Sequence, residues 1–493
     1  MKREGWRIAG CAVLMMAIAA FLVGCGGTGG VGTVAPVPSI SNINSSTIPA
    51  SPVGLPIEIN GSGFQSAPGM VVFTQGSIVA TVVPNAAGWS DTGIVVVVPV
   101  GDGTNPFTVP GTVTVTVVTS GGTSNGVALN LVQTLTFDVN NVTWTTTTPL
   151  PAALTGLRAV VVPVSDTRAF ICVTGGFDGS SNTTTVLSNM LAPSGQLGVN
   201  WNLIATNPLP EPRAHHGMVV AHPGNSLVAV GSRFIYVIGG QKSSTDTPGG
   251  TTTVFMVSVD VTNGSVGPWS QLPTSLPEPL VGPAVTLFNG SVYVVGGLRP
   301  DGTPSQNVYS AQIQSDGKLS TWSKSGNPYP VGISFATVFG FAGKLFVLDG
   351  DTLLSLNPNE QGTAGVKDAR FAPIRNGVVG TWTATNPTIK ARKKHITWTA
   401  FGQVINAEGI YEGSPGSLEL ERTVIQSDGT LAPFNGITAT TNQISANVYN
   451  AAAVVSPLQS ATGTPRFLLL GGQGFATLPP GPLSAAVHVN NAP

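Results

Sequence analysis

From Trp144 onward the chain repeats one unit about every 58 residues, and no other feature restricts its fold so strongly. The six units open on Trp144, Trp201, Trp269, Trp322, Trp382 and Phe434, each after a turn such as Ser315-Asp316-Gly317 or Ser427-Asp428-Gly429. A Pro-containing lead-in and a hydrophobic strand follow. The second strands then end as Val173-Thr174-Gly175-Gly176, Val237-Ile238-Gly239-Gly240, Val294-Val295-Gly296-Gly297, Val347-Leu348-Asp349-Gly350, Ile405-Asn406-Ala407-Glu408-Gly409 and Leu469-Leu470-Gly471-Gly472. Four keep both glycines and two have drifted.

Short Val, Ile, Tyr and Phe strands between Gly, Asn and Asp turns, at such a period, predict four-stranded blades set radially about an axis. One blade cannot bury both of its faces, so each must stack on its neighbours. An aromatic at a fixed place then fills the gap between blades, and glycines admit backbone approaches that a Cβ would block. The aromatic starts, the Leu209-Pro210-Glu211-Pro212-Arg213 lead-in and the Tyr236-Val237-Ile238-Gly239-Gly240 ending resemble kelch repeats. The resemblance covers about 350 residues, best in repeats two and three and loosely in four and five. It implies a six-bladed kelch-type β-propeller over residues 134–493. Two segments compete to supply a closing strand, Leu135-Thr136-Phe137-Asp138-Val139 and Ala485-Ala486-Val487-His488-Val489.

Residues 36–133 carry a different pattern. Pro56-Ile57-Glu58-Ile59-Asn60-Gly61-Ser62-Gly63-Phe64 is followed by Trp89-Ser90-Asp91 and the run from Ile94 to Pro99. Thr112 to Val117 then alternates with period two, as a half-buried strand does, and leads through Ser120-Gly121-Gly122 to Ser124-Asn125. In this order the segments resemble the IPT/TIG family, which implies an immunoglobulin-like β-sandwich acting as a spacer or contact surface. The whole chain is therefore expected to be all-β, a sandwich followed by a propeller.

The amino terminus reads as an export signal over residues 1–24, with Lys2, Arg3 and Arg7 ahead of an apolar run from Ile8 to Val23. Leu22-Val23-Gly24-Cys25 resembles the bacterial lipobox, which implies acylation of Cys25 and membrane attachment through lipid chains. Gly26-Gly27-Thr28-Gly29-Gly30 makes residues 25–35 a flexible tether. Gly26 stands where an inner-membrane retention signal has Asp, so the resemblance implies the outer membrane or cell surface of a bacterium. Of three cysteines, Cys11 leaves with the signal, Cys25 takes lipid, and Cys172 sits in an apolar strand as a buried small hydrophobe.

Charged residues make up 9% of the chain and the net charge is −1, which excludes an electrostatic footprint for nucleic acid. No metal or other cofactor is expected, since His215, His216, His222, His395 and His488 include one adjacent pair but no metal-ligand spacing. Galactose-oxidase-like copper enzymes join a kelch propeller to an immunoglobulin-like domain. Their copper needs two Tyr, two His and a Cys-modified Tyr, partly from a domain after the propeller, whereas here the sandwich comes first. Ser315 to Trp322 differs from sialidase-type turns because Ser, Asp and Gly are contiguous. No glycine-rich phosphate loop is present. The leading expectation is a non-enzymatic envelope lipoprotein whose propeller binds a protein or glycan. The alternative is a carbohydrate-active enzyme, an oxidase or a sugar-acid isomerase.

One asymmetry among the repeats marks candidate ligand-binding residues. Repeat two enters its first strand through Arg213-Ala214-His215-His216 and repeat five through Arg392-Lys393-Lys394-His395. Leu154 and Leu280 hold the Arg place in repeats one and three. Repeats two and five face one another across a six-membered ring, so Arg213, His216, Arg392 and His395, with Lys394 nearby, are placed to flank one mouth and bind a carboxylate or polar glycan. The competing reading has each Arg capping loop carbonyls with the His packed beneath it.

Overall fold

The structure is a computed structural model describing residues 35–44, 46, 49–54, 56–84, 89–132, 143–165, 167–223, 225–229, 231–243, 249–341, 343–353, 365–375, 377–400, 402–411, 420–426, 429–437, 448–458, 466–474 and 483–490. The export signal, the Gly-rich tether, Cys25, the segment 135–139 and most of the Ser427-Asp428-Gly429 turn lie outside them. Val37 to Pro493 forms one compact unit. Among the described residues all regular structure is β-strand.

Residues 37–132 form two sheets over one core. A three-stranded sheet has Pro56–Ser62 between Ser39–Ile43 and Gly93–Val97. The other sheet contains Gly111–Thr119 between Met70–Gln75 and Val127–Val132. Ile57 and Ile59 from the first sheet and Val71, Phe73, Val113, Val115 and Val117 from the second share the buried interior. The period-two pattern of residues 112–117 thus turns every second side chain inward, as alternation requires.

Glu58 lies between the inward-facing Ile57 and Ile59, so its side chain leaves the opposite face of the sheet. It is nonetheless only 2% exposed. Asn289, in a turn about 230 residues later, covers it and donates from Nδ2 to Glu58 Oε1 at 2.7 Å. Burial pushes the carboxyl from its ordinary 4.5 up to about 7, against smaller lowering effects of hydrogen bonds from Asn289, the Gly343 backbone and Asn60.

A raised value means that the folded protein holds this proton more tightly than the unfolded chain. The associated stability is complete below about pH 4.5 and lost as pH rises through about 7. The shift corresponds to about 3 kcal/mol. Urea midpoints are expected to fall between pH 5 and pH 8, and Glu58→Gln is expected to flatten that decline. An unaltered slope in the variant would show that Glu58 is not its source.

Beyond the sandwich, six further sheets each contain at least four strands in antiparallel order. Their first strands are Arg158–Ser165, Gly217–Ala221, Ala284–Phe288, Thr337–Phe341, Ile396–Ala400 and Ala452–Val455. Each packs against the first strand of the next sheet, and the sixth packs against the first. The second strands are buried almost throughout, as in Ser291–Val295 and Phe467–Leu470. Partners on both edges and both faces explain why these segments read as unbroken apolar runs.

The sequence repeat and the sheet are out of phase by one strand. Trp201, Trp269, Trp322, Trp382 and Phe434 directly precede the fourth strands Asn202–Leu203, Ser270–Gln271, Ser323–Lys324, Thr383–Ala384 and Asn435–Ile437. The aromatic that opens each of these repeats therefore finishes the sheet before it. Ring nitrogens of Trp201, Trp269, Trp322 and Trp382 donate to the carbonyls of Thr148, Asn207, Thr274 and Asn327, tying each outer strand to a preceding segment.

This offset corrects the expectation for closure. Val487–Asn490 is the third strand of the last sheet, and its outermost strand is Trp144–Thr146, with Trp144 opposite Asn490. Pairing the two ends of the repeat region covers an edge that would otherwise remain open.

Candidate functional site

A four-residue segment leads into each first strand: 154–157, 213–216, 280–283, 333–336, 392–395 and 448–451. Its first carbonyl accepts the N–H of the last glycine in the preceding sheet's doublet. The bonds are Gly176 to Arg213, Gly240 to Leu280, Gly297 to Ile333, Gly350 to Arg392, Gly409 to Val448 and Gly472 to Leu154, all between 2.7 and 3.1 Å. They close a ring of six.

A second ring lies beside it. The third residue of each segment, Gly156, His215, Gly282, Phe335, Lys394 or Asn450, has φ between 51° and 65°. Each donates its N–H to the carbonyl of the corresponding residue one sheet earlier, over 2.8 to 3.2 Å, and Gly156 donates to Asn450. Glycine adopts this conformation freely, whereas the four other residues each incur a steric cost of about 1 kcal/mol, offset by the closed ring of bonds. The glycines also make room: a Cβ on Gly156 would lie 2.8 Å from the His215 ring, and one on Gly282 would lie 2.5 Å from the Phe335 ring.

Within these rings is a chamber of about 190 Å³, lined by residues from all six lead-ins or first strands. Its polar side chains are those of Arg158, Lys394, His395, Asn450, Thr337 and Thr397, and among the described residues no Asp or Glu lines it. Arg158 donates from Nη1 to the Leu157 carbonyl at 2.9 Å. Burial brings the guanidinium down to about 10, so it remains charged at neutral pH. Lys394 Nζ lies 5.1 Å from the centre of the Phe335 ring and 5.9 Å from that of Tyr449. Burial and the Arg392 charge bring His395 down to about 3, so its imidazole is neutral over the physiological range.

The candidate residues divide. Lys394 and His395 line the chamber, whereas Arg213, Arg392 and His216 do not. The expected placement of both arginines at the mouth is corrected: each points back into its own sheet and is fully buried. Arg213 caps the Pro212 carbonyl, pairs with Glu211 at 2.7 Å and lies over the Phe255 ring. Arg392 caps the Glu408 carbonyl at 2.8 Å and pairs with Glu421 at 3.1 Å. His216 also departs from the expected mouth, with Nε2 2.9 Å from the Thr174 hydroxyl. Burial, followed by the charges of Arg158 and Arg213, holds its ring well below the ordinary histidine value. The carbonyl-capping reading describes these three residues.

Sequence reasoning missed Arg158. Its signal was an isolated charge opening the apolar strand of repeat one. Reasoning also left unexplained the two drifted doublets, whose Asp349 and Glu408 take φ of 51° and 58°, in register with glycines at 59° to 63°. Asp349 accepts a bond from Asn406 Nδ2 at 2.8 Å and another from the Thr388 hydroxyl. Glu408 Oε2 accepts from the Val448 backbone at 3.1 Å. Burial raises both carboxyls, Glu408 to about 8. Cys172 is buried too, its thiol pushed up to about 12, which removes it as a nucleophile at neutral pH.

No family model matches the chain. Beta-scruin of Limulus polyphemus is 30% identical over 146 residues, covering 29% of this chain. The chain spans 14% of the length of that relative. A solved structure of YjhT is 14% identical, with a TM-score of 0.46 over 70% of this chain and 99% of the other. The likeness to beta-scruin, over 146 residues, supports a kelch-like, β-rich fold.

Proposed function

We propose that the chain is a non-enzymatic binding protein of the bacterial envelope, with its ligand site at the axial chamber of a six-bladed kelch-type propeller. The two closed rings of backbone hydrogen bonds, with one member from each of six sheets, support six blades. The two-sheet unit before them supports an IPT/TIG-type immunoglobulin-like spacer. The lipobox-like Leu22-Val23-Gly24-Cys25 supports anchoring at the outer membrane or cell surface through lipid on Cys25. The partner is a protein or glycan.

The observation carrying this reading is the chamber, in which all six repeats converge around two cationic side chains. A binding role is favoured over an oxidase or isomerase because no carboxylate among the described residues lines the chamber and burial leaves its histidine a weak base. That leaves little to exchange a proton with a sugar near neutral pH. Residues 31–493 screened against glycan arrays and envelope extracts are expected to retain one ligand class without altering it. Lys394→Asn, a residue already accommodated at the equivalent Asn450, is expected to weaken retention without lowering the melting temperature. Release of a chemically changed ligand, or retention indifferent to chamber substitutions, would overturn the reading.

A further inference from the structure

The outer edge between the third and fourth sheets is open where the corresponding places of three other sheet pairs are filled. Five residues before the first glycine of each doublet, or the residue in its place, stand Phe170, Phe234, Ser291 and Lys344 in the first four sheets. A turn glycine of the following sheet, five residues before the aromatic start, comes up against three of these. A Cβ on Gly264 would strike the Phe170 ring, one on Gly317 the Phe234 ring and one on Gly429 the Lys344 side chain. At Gly377, the glycine in register with Ser291, nothing lies within 4 Å. A small hydroxyl at Ser291 therefore leaves a recess that a phenyl ring fills in the first two sheets.

The neighbouring strands carry the same exception. Tyr236, Tyr293 and Phe346 share one register in the second, third and fourth sheets, and opposite them stand Met256, Ser310 and Phe371. Ser310 in turn pairs with Ser323, and Ser291 with Gln312, so antiparallel pairing turns these polar side chains to one face. The Tyr236 hydroxyl donates to the Gly317 carbonyl of the next sheet. That of Tyr293 makes no hydrogen bond of normal geometry among the described residues, with Ser291 and Glu58 as its polar neighbours.

The recess opens into a cleft of about 680 Å³ facing the outward side of the sandwich's three-stranded sheet. Asn60, Ser90 and Thr92 line it from the sandwich, and Ser310, Gln312 and Ser323 from the third sheet. Among the described residues its charged lining side chains are Glu58, Lys344 and Arg375. Glu58 accepts from Asn289 at 2.7 Å, Lys344 Nζ lies 4.3 Å from the centre of the Phe371 ring, and Arg375 is exposed. The cleft shares no lining residue with the axial chamber.

We infer that this cleft is a second binding site, for a neutral oligosaccharide. Its hydroxyl and amide side chains can both donate and accept, as sugar hydroxyls do. The exposed Leu227 and Val378 on its lining offer apolar surface to the C–H faces of a sugar ring. With Glu58 and Lys344 engaged within the protein, uncharged groups carry the recognition. The volume falls within the roughly 300–1,000 Å³ of small-ligand sites. The site goes beyond the axial reading and does not depend on it.

The test is calorimetric titration of the full chain with cellotriose, maltotriose and triacetylchitotriose, alongside trigalacturonate and tetra-alanine. At least one neutral trisaccharide is expected to bind more tightly than the charged trimer and the peptide. Ser291→Phe, which gives the third sheet the side chain of Phe170 and Phe234, is expected to weaken that binding at least about tenfold by filling the recess. Gln312→Ala and Ser323→Ala, at exposed positions, are each expected to weaken it about two- to tenfold, the worth of one hydrogen bond. These two decide if Ser291→Phe does not fold. Val199→Ser, at an exposed position of the first sheet's outer turn, is expected to change nothing. No binding of any neutral trisaccharide, preference for trigalacturonate or tetra-alanine, or affinity indifferent to all three cleft substitutions overturns the inference. Trisaccharide binding lost with Ser291→Phe and kept with Lys394→Asn supports the cleft; the converse places the sugar in the axial chamber and overturns it.

Discussion

Replacing Arg392 with alanine is expected to destabilise the protein by about 3–5 kcal/mol, the cost of breaking a buried ion pair, while a chamber ligand still binds. The side chains of Arg392 and Glu421 are 0% and 1% exposed. Glu421 also accepts backbone bonds from Ile389 at 2.7 Å and Lys390 at 2.8 Å. Removing the guanidinium leaves this carboxylate buried without its countercharge and the Glu408 carbonyl without its cap. Arg213→Ala is expected to cost less, because Glu211 is 35% exposed and water can solvate it once its partner is gone. Urea unfolding and retention of the chamber ligand, measured on the same variants, provide the test. Unchanged stability with lost binding would restore both arginines to the ligand site.

Alanine at Gly296 is expected to cost at least about 3 kcal/mol, whereas alanine at Gly377 costs about 1 kcal/mol, the steric penalty of positive φ alone. Both glycines have positive φ, 63° and 76°. A Cβ at Gly296 would lie 2.1 Å from the Ile333 carbonyl oxygen, which accepts the Gly297 N–H at 2.8 Å. At Gly377 nothing lies within 4 Å. Comparison of the two variants therefore separates backbone strain from the close approach between sheets. Asp349 and Glu408 show what a side chain needs in the Gly296 register. Asp349 is held by Thr388 and Asn406, and Glu408 by the Val448 backbone; alanine has no such compensation. Equal losses at the two sites would mean that the ring yields easily at the doublet.

Much of the repeat region was legible because its determinants are local. A glycine recurs at one place in every repeat, preceded by a second glycine in four of them, and all six bond to the next lead-in. Their positive φ is a property of the residue type, so sequence announces it. The phase of the strands was not legible: Trp144 opens the repeat in sequence yet completes the last sheet in space. A repeat can be cut at any point along its period, and only strand pairing decides which cut makes a sheet.

The lead-ins show a finer limit. Aligning Arg213 with Arg392 was sound as register, since both carbonyls accept a doublet N–H. Side-chain direction did not follow from register. His215 and Lys394, two residues further on, adopt φ of 54° and 55°, breaking the simple alternation by which a strand's side chains can be assigned to faces. The result sends both arginines into their own sheets and leaves Lys394 and His395 at the chamber.

By itself the sequence determined the period, the glycine register and the aromatic that recurs at one place in each unit, because each follows from apolar patterning and backbone sterics over a few residues. Tertiary structure decided which charges are paired with carboxylates and which line the chamber. Compensation depends on a partner elsewhere in the chain: Arg392 meets Glu421 29 residues away, and Glu58 meets Asn289 231 residues away. Among the described residues Arg158 meets no carboxylate. Hydrophobic period and glycine placement are written locally, whereas the electrostatic balance of a buried charge exists only once distant segments have been brought together.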